Sequence, residues 1–252
     1  MSEEITWELR KVEALSVTET KCMFQLMHQC YDNVALETFM SDLAEKHWAL
    51  MIRAVDSGDI VGFSTQKLRE IEIASRPISI LFSGDTVIKR EYWGKRDLLL
   101  ASACLVDELM KRVQGEKFFW FLISKGYKTY HFLPVLFKSY FPRLGAEPSA
   151  ESKAVIDYLG RELGGDLYDA QKGVIHSTGG WYVLKEDIAE MTTLRPKDPH
   201  AQFFLQRNPG FAQGDELCCL AELSADNYTN VALRLLKNYK RQKVELMSER
   251  VT

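Results

Sequence analysis

The sequence predicts a mixed α/β fold, a central mixed sheet with helices on its faces, through three observations. Strand and helix patterns follow one another in the order β-α-α-β-β-β-α-β-α over the first 145 residues, an interleaving that puts helices on a sheet. An apolar run over 78–88 passes through Lys89-Arg90-Glu91-Tyr92-Trp93-Gly94-Lys95-Arg96 straight into a long amphipathic helix pattern. Lys117 to Ile123, with Phe118, Phe119, Trp120, Phe121 and Leu122, is the most apolar strand segment of the chain.

Each element has a local cause. Residues 5–15 alternate loosely, as a first strand does. Ser16 and Glu19 form a capping-box pattern, and Met23, Phe24, Met27, Cys30 and Tyr31 recur at helical spacing behind it. A second helix is expected with Leu36, Phe39, Met40 and Leu43 on one face. His47 to Val55 reads as a buried strand, Asp56-Ser57-Gly58-Asp59 as a hairpin turn, and 60–70 as the returning strand. Arg76-Pro77 breaks the chain before the strand at 78–88. The next helix carries Leu98, Ala101, Leu105 and Leu109 on one face and ends near Gln114-Gly115. A helical run from Phe132 to Tyr140 has Pro134 near its start, and Phe141 to Gly145 closes it.

Beyond Ala146 the pattern loosens. Residues 149–163 predict a helix, Gly164-Gly165 a break, and Gly173 to Lys185 extended chain. Phe203-Phe204-Leu205 reads as the end of a strand that turns at Asn208-Pro209-Gly210. Leu217-Cys218-Cys219-Leu220 reads as a buried strand, and Asp226 to Lys240 as a final helix with Val231, Leu235 and Leu236 inward. The expected division is a core over 1–145 and an extension over 146–252 that packs on it and selects the acceptor.

Bulk composition excludes several classes. The chain has 252 residues, 46% of them hydrophobic and 27% charged, as an ordinary globular protein does. A net charge of −3 supplies no basic field for nucleic acid. The apolar runs are too short to span a bilayer, and the acidic start Met1-Ser2-Glu3-Glu4 is no secretory signal. Five cysteines lack CxxC or Cys/His zinc spacing, so no metal is expected, and they read as thiols in a reducing, cytoplasmic setting. His176-Ser177 has no Gly-x-Ser-x-Gly elbow around it, which removes the hydrolase case.

The candidate site lies where the strand at 78–88 turns into the following helix. A helix start exposes unpaired N–H groups and the positive end of the dipole, and Lys89, Arg90, Lys95 and Arg96 add four cations, a setting for phosphates. The element order through 145 and the segment Val87 to Arg96 resemble the GNAT superfamily of N-acyltransferases. That resemblance implies a donor, acyl-CoA, held after the fourth strand by Val87, Lys89, Arg90, Gly94, Lys95 and Arg96, with the acyl arm in a gap between the fourth and fifth strands. It also implies Tyr140 or Tyr130 as the proton donor to the leaving thiolate. Gly94 is the only glycine in the loop, where the family carries more. The cations would then grip phosphates directly, or the donor is an acyl-carrier protein.

Amine acylation needs a base, and Asp85 on the fourth strand is the candidate, with Glu70 and Glu72 as alternatives. His131, beside Tyr130 in the polar run after the fifth strand, would contact donor or acceptor. The aromatic supply of residues 118–121, Phe132 and Phe137 would suit a longer acyl chain. The expected activity is N-acyl transfer to a small-molecule or peptide amine by direct attack. The alternative is a non-catalytic GNAT-fold binding protein, and a second copy of the chain remains an open partner.

Overall fold

The computed structural model describes residues 4–93, 96–110, 113, 117–179, 182–193 and 197–237. The principal strands are β1 (Ile5–Lys11), β2 (Trp48–Ala54), β3 (Ile60–Ile73), β4 (Arg76–Ile88), β5 (Lys117–Ser124) and β6 (Glu216–Glu222). They form one sheet in that order, continued past β6 by the short pairs Val174–Ile175 and Tyr168–Asp169. Every neighbouring pair is antiparallel except β4 and β5, which run parallel. The expected mixed α/β architecture is therefore present, and a strand from the C-terminal half extends the same sheet beside β5.

Both faces are covered. On one lie α1 (Val17–Cys30), α2 (Leu36–Ala44) and α6 (Ala150–Gly164). Met23, Met27, Phe39 and Leu43 pack there on Met51, Phe63 and Val87, and Val155, Ile156 and Leu159 on Ile80, Phe121 and Cys218. The other face carries α3 (Arg96–Met110), α4 (Tyr127–Tyr130), α5 (Phe132–Leu136) and α8 (Pro199–Arg207), with Leu105, Tyr127, Leu133 and Phe204 buried together with Leu81, Trp120 and Cys219. A further helix, α7, spans Glu186–Thr193. Cys218 and Cys219 thus point to opposite faces, as consecutive strand residues must. All five cysteines are free thiols, and burial pushes the Cys219 thiol far up, which leaves it unreactive.

The α1 start follows its capping box. Glu19 N donates to Ser16 Oγ (3.2 Å) and Ser16 N donates to Glu19 Oε2 (2.9 Å). Ser16→Ala is expected to lower unfolding stability by about 1 kcal/mol, read from the urea midpoint at unchanged slope.

Several local expectations are corrected. Phe203–Leu205 is helical: Asp198 caps α8 by accepting from His200 N (2.9 Å) and Ala201 N (3.3 Å), and Pro199 occupies the first turn. Phe132 to Tyr140 is helical only to Leu136, where Phe137 turns extended. The chain reverses at Ala74 and Ser75, both with positive φ, and Pro77 lies inside β4 opposite Glu72, before β5 pairing begins at Ile78. In α2 only Phe39 and Leu43 are buried; Leu36 and Met40 are exposed. The last described helix spans 230–237, with Ala232 and Leu236 inward and Val231 exposed.

Candidate active site

The parallel ladder between β4 and β5 runs from Ile78↔Lys117 to Ser83↔Leu122 and ends there. Beyond it β4 continues to Ile88 paired only with β3, while β5 reaches Ser124 paired with β6. The two strands part, and a slot opens between them.

A bulge shapes β4 at that point. Ser64 pairs with Thr86 and Gln66 with Ser83, so Gly84 and Asp85 together oppose Thr65 alone. An extra residue shifts the side-chain alternation by one and twists the strand. Phe82 before the bulge and Val87 after it therefore pack on the α1/α2/α6 face, and Asp85 joins them. Gly84 is required by a close approach: a Cβ there would lie 2.7 Å from both Lys46 Cε and Thr65 Oγ1.

On this face lies a cavity of about 370 Å³, bordered by Asp42, Asp85, Lys125, Glu216, Tyr31 and Tyr182 among others. A much smaller one, about 20 Å³, lies on the α3 face. Gly84, Thr86 and Thr129 border both cavities. The small cavity is lined by a connected polar chain. Trp120 Nε1 donates to Ser83 Oγ (2.7 Å), Ser83 Oγ to Gln66 Oε1 (2.7 Å), and Gln66 Nε2 to Ser64 Oγ (2.8 Å), which shares a 2.7 Å bond with Thr86.

Asp85 is partly exposed, but protein surrounds its carboxyl group. Burial, with the charge of Asp42 next, raises its pKa to about 7, against the pull of Lys125 and Lys46. Lys46 is itself buried and bonded to the Asp42 side chain and to Asp42 O (3.1 Å). Lys125 Nζ donates to Glu216 Oε1 at 2.6 Å. The Tyr31 and Tyr182 rings lie 6.3 Å apart, and burial drives both phenols up. Tyr182 arrives because Val183–Leu184 pairs with Tyr31–Asp32.

The other predicted residues are distributed as follows. Val87 is buried under α1 and α2, and Lys89 N donates to Val61 O (2.8 Å). Arg90 follows β4, stacks 5.5 Å from the Trp93 ring and is ion-paired with Asp187 of α7. Gly94, Lys95 and the Arg96 side chain lie outside the described residues. His131 Nδ1 shares a 2.8 Å bond with Tyr127 Oη, which donates to Asp198. Tyr130 is buried and donates to Pro142 O (3.1 Å). Tyr140 packs edge-on against Tyr130 and borders a different cavity with Lys117 and Phe119, at the far end of β5. Neither tyrosine borders the slot. Glu70 and Glu72 pair with Ser79 and Pro77, about 20–26 Å along β4 from Asp85. Asp85, Lys89 and Arg90 thus share one end of β4, while the tyrosine and glutamate candidates lie elsewhere.

Asp42, Lys46, Glu216 and Tyr182 carried no motif in the sequence. Lys125 stood in the polar run after β5, which was the one signal available. Among the described residues no group of three or more His, Cys, Asp or Glu side chains is placed to hold a metal ion, and no helix is long and apolar enough to cross a membrane.

No protein-family model matches the sequence, and no curated protein does. Solved structures do match. One is a conserved protein of unknown function from Enterococcus faecalis V583, described as a probable N-acyltransferase, at 15% identity and a TM-score of 0.41; the match covers 54% of this chain and 33% of that one. A GNAT family N-acetyltransferase of Escherichia coli in complex with CoA matches at 10% identity and a TM-score of 0.38, over 52% of this chain and 70% of that one. Glucosamine-6-phosphate N-acetyltransferase of Arabidopsis thaliana matches at 15% identity and a TM-score of 0.33, over 62% and 90%. The match spans about a third of the Enterococcus protein's length. The strand order of this chain and the parting of β4 from β5 are those expected from its sequence.

Proposed function

We propose that this protein is an N-acyltransferase that moves an acyl group from a thioester to an amine by direct attack, without an acyl-enzyme intermediate. The observation that carries this reading is Asp85, a carboxyl group with its pKa raised to about 7, at the point where the β4–β5 ladder opens. A carboxylate with that pKa accepts a proton efficiently near neutral pH. In the proposed reaction it takes the proton of the attacking amine as the nitrogen bonds to the thioester carbon, and the thiolate departs as the tetrahedral species collapses. Alignment of two bound reactants in one slot supplies much of the remaining rate. Acyl-CoA is the first donor and an acyl-carrier protein the second. The acceptor is an amine small enough for the 370 Å³ cavity. Residues 146–252 serve as the acceptor-selecting cap, since Tyr182 and Glu216 border that cavity.

Donor phosphates would compete with Asp187 for Arg90. That ion pair is exposed on both sides, and such pairs contribute about 0.2–1 kcal/mol. Asp187→Asn is therefore expected to tighten CoA binding by no more than about fivefold, measured by calorimetry.

The test is product formation. The full chain is incubated with acetyl-, octanoyl- or palmitoyl-CoA and a set of amines, and N-acyl product is followed by mass spectrometry. Product that depends on Asp85 supports the reading. No product, with no binding of any acyl-CoA or acylated carrier protein, favours a non-catalytic binding protein of this fold.

A further inference from the structure

Two residues that border the large cavity each carry a buried polar atom without a hydrogen-bond partner among the described residues. Glu216 is 4% exposed; its Oε1 accepts from Lys125, but its buried Oε2 accepts from nothing. The Tyr182 hydroxyl is likewise buried and without a hydrogen bond. Both residues border the same cavity as Asp85. An orphaned buried carboxylate oxygen is costly and calls for a donor. The balance of charge says which kind. Among the described residues that border the cavity, Asp42, Asp85 and Glu216 are acidic and Lys125 is basic, with Lys46 beside Asp42. An ionised oxygen in a pocket with surplus negative charge selects a cationic donor over a neutral one.

We propose that the acceptor carries two amino groups: one placed for attack beside Asp85, and a second, as an ammonium, that donates to Glu216 Oε2 with the Tyr182 hydroxyl as its other partner. This deepens the proposed function by naming the acceptor class as a small diamine, and it rests on that reading for the identity of the attacking group. Glu216 and Tyr182 come from the C-terminal half, so acceptor choice is built by elements outside the first five strands. A monoamine would leave Glu216 Oε2 orphaned and so would bind without that gain. A peptide amine offers its second cation only through a flexible side chain and has little room in 370 Å³.

The probes are diaminobutane and butylamine, alike in length and differing in the second ammonium. Binding of each to the full chain is measured by calorimetry at pH 7.5, and acylation of each is followed with the best acyl-CoA. The expected result is that diaminobutane binds at least tenfold tighter, and that Glu216→Gln or Tyr182→Phe shrinks the ratio between the two amines severalfold. Tyr182→Phe removes only an oxygen, so it reports even where the Glu216 variant fails to fold. Equal binding of the two amines, or a preference that survives both variants, overturns the proposal. Equal binding with acylation of both would leave the transferase reading standing. A diamine preference without acylation would uphold the cation site and remove the transferase reading.

Discussion

Asp85→Asn is expected to lower kcat/KM for N-acyl transfer by about 10²–10⁴-fold. The substitution keeps the shape of the side chain and removes its capacity to take a proton. In the unaltered protein kcat/KM should rise with pH and level off above about 7, where Asp85 is ionised; the variant should lose that limb. Stability should move the other way. A folded pKa of about 7 lies above the ordinary value of 3.8, so the native state holds a proton that the unfolded chain releases. The unfolding free energy therefore falls as pH rises from about 4 to 7, by up to about 4 kcal/mol in total. Asp85→Asn should remove this slope and be the more stable protein at pH 8. Urea unfolding of both proteins across pH 4–8 measures it. An Asn variant less stable at pH 8 would show that the carboxylate is held by partners, not strained by burial. An activity–stability exchange of this sign is what a functional carboxylate in a desolvated cleft produces.

Gln66→Leu should give the largest loss of stability at the site, about 2–4 kcal/mol. Gln66 is 4% exposed and joins Ser83 of β4 to Ser64 of its own strand, β3. Leucine fills similar volume, so no cavity accounts for the loss. The cost comes from Ser83, left with only the Trp120 indole as partner, and from Ser64, left with Thr86 alone. Gln66→Leu combined with Ser83→Ala and Ser64→Ala removes the orphaned groups with their partner and should recover much of the deficit. The urea midpoint at constant slope reads the effect. A triple variant no more stable than Gln66→Leu alone would place the cost in packing.

What the sequence revealed about this fold follows the range of the forces involved. The capping box at Ser16 and Glu19 acts across three residues, and the helix appears where it predicts. The β5 run is buried on both faces, so its composition alone marks it. Asp85 was readable because it stands on a strand near the expected donor loop, though its elevated pKa was not: burial raises it, and Asp42, Lys46, Lys125 and Glu216 adjust it from three other places in the chain. Glu216 reaches the cavity only because β6 pairs with β5 across about ninety residues of sequence, a contact that no local pattern encodes. Tyr182 depends likewise on a two-residue pairing with Tyr31–Asp32. The missed helix at Pro199–Arg207 is short, and its signal was the Asp198-Pro199 start, hidden within a segment rich in turn residues. The tyrosines assigned by resemblance, Tyr130 and Tyr140, follow β5 in sequence, yet Tyr130 is buried in α4 with its hydroxyl on Pro142 O, and the early stop of α5 at Leu136 carries Tyr140 toward the other end of the sheet.

The central claim is that a thioester donor lies between β4 and β5. Amide hydrogen exchange of the full chain, with and without saturating acyl-CoA, addresses it directly, because β4 beyond Ser83 has no ladder partner in β5. The account predicts slowed exchange over Gly84 to Arg90 on donor binding, with the Ile78–Ser83 ladder unchanged. Donor binding that leaves residues 84–90 untouched and protects another surface would contradict it.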